Sequence, residues 1–216
     1  MATFFIPSAR STPVPATNNN ITLAVLAGGR ARRMEGEDKG LVTVAGKPMI
    51  SHVLDRFAPD AAQTLIIANR NQQAYAELGH PVFGDELEGF QGPMAGMRTA
   101  LRHCDSPYLL VLPCDVPMLP GDLLHKMLDQ LQREDAQIAV ACDDEREHSV
   151  ILLMRSDLGP SIDEFLANGD RKILLWYNQK RLTKVTFSGQ AEAFANINTA
   201  EQRDELEQRL LANKDL

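Results

Sequence analysis

The residues best suited to chemistry near the start of this chain are glycines followed by cations. An apolar run over residues 21–27 stops at Gly28 and Gly29. Basic side chains then follow: Arg30, Arg32, Arg33, Lys39 and Lys47. Glycines without a β-carbon let backbone N–H groups approach an anion closely, and guanidinium and ammonium groups neutralise phosphate charge. The pattern therefore predicts a phosphate-binding loop at the carboxyl end of the first strand.

Two common phosphate-binding motifs do not fit this segment. A Walker A loop needs Gly five residues before its Gly-Lys pair and Ser or Thr after it, whereas Leu41 and Pro48 hold those positions here. The dinucleotide fingerprint G-x-G-x-x-G is not supplied by the two glycines either. A simple Gly-Gly turn with solvated arginines remains an alternative on the residues alone.

An aspartate in the middle of the chain offers a metal ligand. Asp115 lies in P-C-D-V-P, just after the apolar run 108–112. Mg²⁺ is usually held by one or two carboxylates together with substrate phosphates. An Asx turn or a helix cap also uses aspartate in this context, so the residue alone leaves both interpretations about equally open.

The elements that must position these residues alternate along the chain. Apolar stretches of strand length cover residues 21–27, 63–68, 82–83, 108–112, 137–141, 150–154 and 182–187. Segments with a helical apolar stripe cover 49–57, 71–78, 94–103, 120–132, 158–166, 171–177 and 199–213. This alternation predicts an α/β fold of three layers, a largely parallel, mixed sheet with helices on both faces. Ligands then bind beyond the carboxyl ends of the strands, which places Gly28, Asn69, Asp85 and Asp115 on one rim.

The ordered motifs of the chain resemble those of the molybdenum cofactor guanylyltransferases, within the wider nucleotidyltransferase group. The motifs are L-A-G-G-R-A-R-R-M, D-K-G-L, G-K-P, A-N-R, G-P-M-A-G-M, P-C-D-V-P and N-I-N-T. They span nearly all of residues 21–216. The resemblance implies a Rossmann-like nucleotidyltransferase fold, with a nucleotide-binding part over about 21–142 and a pterin-binding part over about 143–216.

The resemblance also implies roles for particular residues. Lys39, Asp115 and Arg33 are implied to be catalytic, and Asp115 to be the ligand of Mg²⁺. The positions implied to bind GTP are Leu26, Ala27, Gly28, Gly29, Lys39, Asn69, Asp85 and Asp115. The positions implied to lie near the pterin are Gly92, Gly96, Asn196 and Asn198. The amides of residues 27–29 are expected to hold the nucleotide.

Structural alternatives and departures accompany these assignments. Asn69 and Asp85 also suit turns after strands, helix packing also explains Gly96, and Asn198 also suits a cap of the last helix. His148 is a further candidate on the pterin side. Glu35 replaces the glycine that relatives usually carry, and its carboxylate would repel a triphosphate unless it points outward.

The implied reaction transfers GMP from GTP to the phosphate of Mo-molybdopterin and releases pyrophosphate, with hand-over to molybdoenzymes or their chaperones left open. Cytidyl transfer is the nearest alternative, although L-A-G-G is typical of the guanine enzymes and L-A-A-G of the cytosine enzymes. Sugar-nucleotide pyrophosphorylases are generally longer. A non-catalytic carrier of the cofactor is the alternative of another class, and retention of Lys39 and Asp115 disfavours it.

Composition adds limits on compartment and partners. The 216 residues carry a net charge of −7, which disfavours nucleic acid as a partner. Three widely spaced cysteines suggest neither zinc nor a disulfide framework, which suits a reducing cytoplasm. Residues 1–20 are rich in Pro and Asn, and we expect a disordered leader ahead of a single domain. No apolar run approaches the ~20 residues of a membrane span, so no membrane role is expected, and a monomer is favoured.

Overall fold

The computed structural model describes residues 20–27, 38–85 and 92–212, with side chains as far as Leu210. The strands in these residues are β1 (Ile21–Leu26), β2 (Thr43–Val44), β3 (Lys47–Pro48), β4 (Gln63–Ile67), β5 (Val82–Phe83), β6 (Tyr108–Pro113), β7 (Ile138–Cys142), β8 (Glu147–Arg155) and β9 (Leu182–Thr186). The α-helices are α1 (Met49–Phe57), α2 (Gln72–Ala76), α3 (Pro93–Arg102), α4 (Leu123–Arg133), α5 (Gly159–Ala167), α6 (Ile173–Tyr177) and α7 (Ala200–Ala212). Among these described helices, none is both long and apolar enough to cross a membrane.

Seven of the described strands form one twisted sheet in the order β5-β4-β1-β6-β8-β7-β9. Strands β5, β4, β1 and β6 are parallel neighbours, and β9 is parallel to β7. Strand β8 runs antiparallel to both β6 and β7, between which it lies. The carboxyl ends of β5, β4, β1 and β6 consequently share one rim, and the amino end of β8 reaches the same rim.

Alternate side chains of the buried strands serve two apolar layers. Ile21, Leu23 and Val25 of β1 pack with α1 and α4 on one face of the sheet. Ala24 of the same strand belongs to the layer formed with α3, α5 and α6 on the opposite face. Period-two burial of this kind requires cover on both sides of a sheet. The predicted three-layer α/β architecture is confirmed.

Several element boundaries differ from the predictions. Helix α4 begins at Leu123 rather than at residue 120, because Pro120 and Gly121 precede it in a turn. Strand β8 is nine residues long and begins at Glu147. The β2–β3 hairpin and a 3₁₀ turn at Lys39–Leu41 were not predicted, since two- and three-residue elements carry no periodic signal.

Some predicted features lie outside the described residues. These are Gly28, Gly29, Arg30, Arg32, Arg33 and Glu35, and residues 1–19 of the predicted leader. Asn20, which the prediction placed in the leader, contributes to the domain, because its carbonyl oxygen accepts a hydrogen bond from the Tyr108 N–H at 3.2 Å.

Candidate active site

The rim of the sheet brings together the predicted residues that follow strands. Ala27 follows β1 directly, and Asn69, Asp85 and Asp115 each lie two residues beyond β4, β5 and β6. The side chain of Leu26 packs on the α3 side of the sheet. The Ala27 N–H donates to the Ile67 carbonyl at 2.8 Å. This amide is committed to the sheet, so it is not free to hold a nucleotide as expected.

Asn69 and Asp85 form a reciprocal pair at one end of the rim. The Asn69 Nδ2 donates to Asp85 Oδ2 at 2.7 Å, and the Asp85 N–H donates to Asn69 Oδ1 at 2.6 Å. The other carboxylate oxygen, Asp85 Oδ1, is buried and has no hydrogen-bond partner among the described residues. A buried acceptor without a donor is costly. Asp85 Oδ1 is therefore suited to receive an N–H or O–H from a ligand.

Gly96 lies beside this pair rather than with the two asparagines of N-I-N-T. A β-carbon on Gly96 would be 3.2 Å from Leu26 Cδ2, 3.4 Å from Ile67 Cγ2 and 3.7 Å from Asp85 Oδ1. The glycine thus lets α3 approach the ends of β1 and β4. Gly92 caps α3 with a φ of 74°. The predicted grouping of Gly96 with Asn196 and Asn198 differs from these contacts, because α3 covers the β1–β4 half of the rim.

A second cluster lies at the end of β6. Lys39 Nζ is 3.3 Å from Asp115 Oδ2, and it also donates to Asn198 Oδ1. The Asn196 Nδ2 donates to Asp115 Oδ1 at 3.1 Å, and the Ile197 N–H donates to the Asp115 carbonyl at 2.9 Å. The side chains of Lys39 and Asp115 are 24% and 15% exposed. A cation, a carboxylate and two amides thus converge in a partly buried site.

Each member of this cluster is fixed by its own element. The N–H of Cys114, the residue before Asp115, donates to the Leu26 carbonyl at 3.1 Å and so ties the end of β6 to β1. Asn198 precedes α7, which begins with a capping box: Gln202 Oε1 accepts from Thr199 N at 3.2 Å, and Thr199 Oγ1 accepts from Gln202 N at 3.2 Å. Lys39 begins the 3₁₀ turn. Lys47, by contrast, pairs with Asp55.

Asp38, Asn71 and Tyr75 form a network that the sequence analysis missed. The Tyr75 hydroxyl donates to Asp38 Oδ1 at 2.5 Å, and the Asn71 Nδ2 donates to Asp38 Oδ2 at 3.1 Å. The signal available in the sequence was an aromatic residue in an otherwise small and polar helical segment, which is equally typical of an ordinary core position. The network holds the residue next to Lys39.

A cavity of about 200 Å³ opens beside the Asp115 cluster. Its lining includes Arg146, Glu147, His148 and Ser149 at the start of β8, together with Asn196. His148 stacks on the Phe194 ring with centroids 4.6 Å apart. Asn196 lines the cavity and also donates to Asp115, so the cavity adjoins the charged cluster. It lies on the side of Asp115 away from Asn69 and Asp85.

Asp143 anchors His148 below this cavity. His148 Nε2 and Asp143 Oδ2 are 2.8 Å apart, and both residues are buried. Burial raises the pKa of Asp143, but hydrogen bonds from the N–H groups of Arg146 and Glu145 and from His148 outweigh that effect and lower it to about 2. The pair therefore keeps a carboxylate under the imidazole at all ordinary pH values.

The donor set fits a metal that arrives with a phosphate ligand. Within the described ranges, no three His, Cys, Asp or Glu side chains converge as a metal site of their own. The two Asp115 oxygens each accept one described hydrogen bond, and a carboxylate has about four acceptor positions. The Asp115 carboxylate thus has acceptor positions open to a divalent metal that also takes phosphate and water ligands.

A covalent thiolate mechanism does not suit this site. Cys114 is adjacent to Asp115 and buried. Burial, and next the charge of Asp115, raise the pKa of its thiol far above the ordinary value. The thiol therefore stays protonated and is a poor nucleophile.

The mixed sheet with helices on both faces thus carries Lys39, Asp115, Asn69 and Asp85 on one rim, and the family to which this chain is similar is one of nucleotidyltransferases. The model of the MobA-like NTP transferase domain matches residues 23–182. The chain therefore belongs to the MobA-like NTP transferase family.

Two named relatives are similar to this chain in sequence, and two solved structures are similar to it in fold. The chain is 50% identical over 186 residues to a molybdenum cofactor guanylyltransferase of Shewanella woodyi, covering 86% of this chain and 95% of that protein. Identity to the protein of the same name from Shewanella loihica is 50% over 190 residues, covering 88% and 97%. A molybdopterin-guanine dinucleotide biosynthesis protein A from Archaeoglobus fulgidus has a TM-score of 0.71 at 23% identity, covering 88% and 99%. A CMP:2-keto-3-deoxy-manno-octonic acid synthetase complexed with CTP has a TM-score of 0.70 at 14% identity, covering 91% and 100%. These two structures share the fold.

Proposed function

We propose that this enzyme transfers GMP from GTP to the phosphate of Mo-molybdopterin, yielding the guanine dinucleotide form of the cofactor and pyrophosphate. One observation carries the proposal: 50% identity to guanylyltransferases along almost their whole length. The convergence of Lys39, Asp115, Asn69 and Asp85 at one rim supports it. The three cysteines are free, which suits a reducing cytoplasm.

The acceptor phosphate is the nucleophile. A phosphomonoester has its second pKa near ~6, so it is largely dianionic at neutral pH and needs no general base. One of its oxygens attacks the α-phosphorus of GTP in line with the bond to the β-phosphate. The new P–O bond forms as the α–β bridge breaks, and the electron pair leaves with pyrophosphate.

Lys39 would neutralise phosphate charge directly, and Asp115 would do so through the metal that it holds. The Lys39 ammonium has three N–H donors, of which Asp115 and Asn198 take two. The third is available to phosphate oxygens. Asp115 would hold Mg²⁺, which when bound supplies positive charge at the phosphates. Arg33, from its place in the R-R-M motif, is proposed to add a further cation.

Guanine selectivity is assigned to the Asn69–Asp85 pair. Asp85 Oδ1, the buried oxygen without a described partner, suits an acceptor for the N–H groups of the guanine edge. Cytosine presents a different set of donors and would leave buried groups unpaired. Two unpaired groups at ~1.5 kcal/mol each, within the ~1–3 kcal/mol range for such groups, total ~3 kcal/mol and correspond to a preference of ~10²-fold.

The acceptor is assigned to the cavity beside Asn196. His148, Ser149 and Asn196 offer polar contacts to a pterin ring system, and Arg146 offers a cation. Nucleotide and acceptor would then meet at Asp115 from opposite sides. Asn196 and Asn198 remain proposed pterin-side residues, and transfer of the product to molybdoenzymes or their chaperones is proposed as the following step.

The test is pyrophosphate release with Mo-molybdopterin and either GTP or CTP. Guanylyl transfer gives release with GTP at a kcat/KM at least ~10²-fold above that with CTP. Equal rates refute guanine selectivity, and faster release with CTP than with GTP indicates the cytidylyl alternative. Tight pterin binding without release from either nucleotide indicates a carrier. The Asp85→Asn variant, which keeps the size of the side chain, should lose most of the GTP preference.

A further inference from the structure

We propose that Tyr75 is a positioning residue for Lys39, acting through the carboxylate of Asp38. The inference rests on the proposed function, in which the Lys39 ammonium neutralises nucleotide phosphates. Tyr75 lies on α2, outside the phosphate-binding cluster, and its side chain is completely buried. Its hydroxyl is its one polar group, and this hydroxyl donates to Asp38 at 2.5 Å.

Hydrogen bonds fix both the side chain and the backbone carbonyl of Asp38, the residue that precedes Lys39. Its two carboxylate oxygens accept from Tyr75 and Asn71. Its backbone carbonyl accepts from the N–H groups of Leu41 at 2.9 Å and Val42 at 3.2 Å, which closes the 3₁₀ turn that begins at Lys39. The backbone from which the Lys39 side chain extends is therefore fixed relative to α2.

At Gly40 the 3₁₀ turn lies so close to Tyr75 that no side chain would fit between them. A β-carbon on Gly40 would lie 2.4 Å from the Tyr75 hydroxyl oxygen and 3.2 Å from two ring carbons. Gly40 is buried. The glycine after Lys39 thus lets the turn pack against the same hydroxyl that donates to Asp38.

Fixing the backbone next to Lys39 matters because the lysine side chain is long and flexible. The four-carbon stem of Lys39 can place its ammonium in many positions, and in the observed one the ammonium contacts both Asp115 and Asn198. Anchoring the backbone at Asp38 and the ammonium at Asp115 restricts both ends of the side chain. Phenylalanine would fill the same volume as Tyr75, so the hydroxyl serves the bond to Asp38 rather than the core.

The hydroxyl remains a donor under all ordinary conditions. Burial is the main cause that raises the pKa of Tyr75 far above its usual value, and the Asp38 carboxylate raises it further. The bond to Asp38 is consequently not lost by deprotonation of the tyrosine.

The experiment measures Mg·GTP affinity by calorimetry for Tyr75→Phe, Lys39→Ala and the double variant. Displacement of a binding group by about 1 Å can cost as much as ~10²-fold, and we expect Tyr75→Phe to weaken binding roughly tenfold. If the tyrosine acts through Lys39, it should have nothing left to position in the Lys39→Ala background. The double variant should then match Lys39→Ala within about twofold, since coupled residues are not additive.

Tyr177→Phe is the matched control. Tyr177 is also completely buried and donates to a carboxylate, Glu147 Oε2, at 2.9 Å. Its loss removes the same kind of bond on the β8 side of the sheet, so Mg·GTP affinity should stay within about twofold of the unmodified protein. A general effect of losing a buried tyrosine hydroxyl would appear equally in both variants.

A stability cycle tests the seating contact separately. Gly40→Ala should lower the thermal midpoint more in the presence of Tyr75 than in the Tyr75→Phe background, where the atom at 2.4 Å is gone. If Tyr75→Phe does not fold, Asp38→Ala replaces it in the affinity cycle, because it breaks the same link from the other side.

If the wild type binds Mg·GTP and the affinity losses of Tyr75→Phe and Lys39→Ala add up in the double variant, the positioning role is overturned but the proposed function is not. Unchanged affinity in Tyr75→Phe would overturn the positioning role as well. Failure of the wild type to bind Mg·GTP would overturn the proposed function, and the positioning role with it.

Discussion

Replacement of Asp115 by asparagine separates the chemical role of this residue from a structural role. The substitution keeps the shape of the side chain and one oxygen for the Asn196 Nδ2, which now lies 3.1 Å from Asp115 Oδ1. It removes the negative charge that faces Lys39 Nζ at 3.3 Å. It also removes the carboxylate that is proposed to hold Mg²⁺.

The two effects differ greatly in size. The Lys39–Asp115 pair is partly buried, with 24% and 15% of the two side chains exposed, so its loss should lie between the values for exposed and buried pairs, at about 1–2 kcal/mol. A chain of this length loses about 2–4 °C in thermal midpoint per kcal/mol, which gives a decrease of roughly 2–8 °C. Loss of a metal ligand should remove about 4 kcal/mol of transition-state stabilisation, equivalent to a decrease in turnover on the order of 10³-fold.

The assay combines a thermal melt with pyrophosphate release from GTP at saturating Mg²⁺. Asp163→Asn is the control, because Asp163 pairs with Arg98 on the α3–α5 surface, away from the rim. It should melt slightly earlier and turn over at the wild-type rate within about twofold. Near-normal turnover of Asp115→Asn would refute the assignment of the metal. Complete unfolding of that variant would show that Asp115 is primarily a structural residue.

Three further predictions address neighbouring groups. Asn196→Ala should raise the Mg²⁺ concentration needed for half-maximal pyrophosphate release by about tenfold, because its amide orients the Asp115 carboxylate; an unchanged Mg²⁺ dependence would contradict this orienting role, whatever the effect on the KM for the pterin. The pKa of Asp143 is lowered from 3.8 to about 2, so the stability that its carboxylate contributes is complete above the unfolded pKa and is lost as the pH falls through about 2. The urea midpoint of Asp143→Asn should therefore lie below the wild-type value at pH 7, and that difference should shrink as the pH falls from about 4 toward 2. A difference that stays constant with pH would contradict this. Cys104 is the partly exposed cysteine and should react with a thiol reagent in the native protein, whereas Cys114, whose pKa burial raises, should react only on unfolding; rapid native labelling of Cys114 would contradict its burial.

The arrangement of the rim fits the proposed binding of a polyanion by a protein of net charge −7. Lys39 is the cation of the described cluster that the fold directs into the site, while Lys47 is paired with Asp55 on the surface. Local geometry, rather than the overall charge, therefore decides where phosphate can bind. For the same reason, the positioning of Lys39 by Asp38 and Tyr75 matters to the proposed reaction.

The sequence by itself determined the features that depend on neighbours in the chain. Apolar runs predicted β1, β4 and β6, because a strand buried on both faces requires consecutive apolar residues. Pro93 after Gly92 predicted the start of α3, since proline fits the first turn of a helix. The capping box at Thr199 was predictable because its two partners are three residues apart. From these elements the α/β class and the shared rim followed by general rules of topology.

Only the tertiary structure decided which of the rim residues contact one another. Lys39 and Asp115 are 76 positions apart and Lys39 and Asn198 are 159 apart, so no local signal could join them. The same holds for the insertion of β8 between β6 and β7, for Gly96 against Asp85, and for Tyr75 beneath the turn of Lys39. The physical reason is that side-chain periodicity reports which face of an element is buried, whereas contacts between distant residues are fixed by the order of strands and the packing of helices upon them.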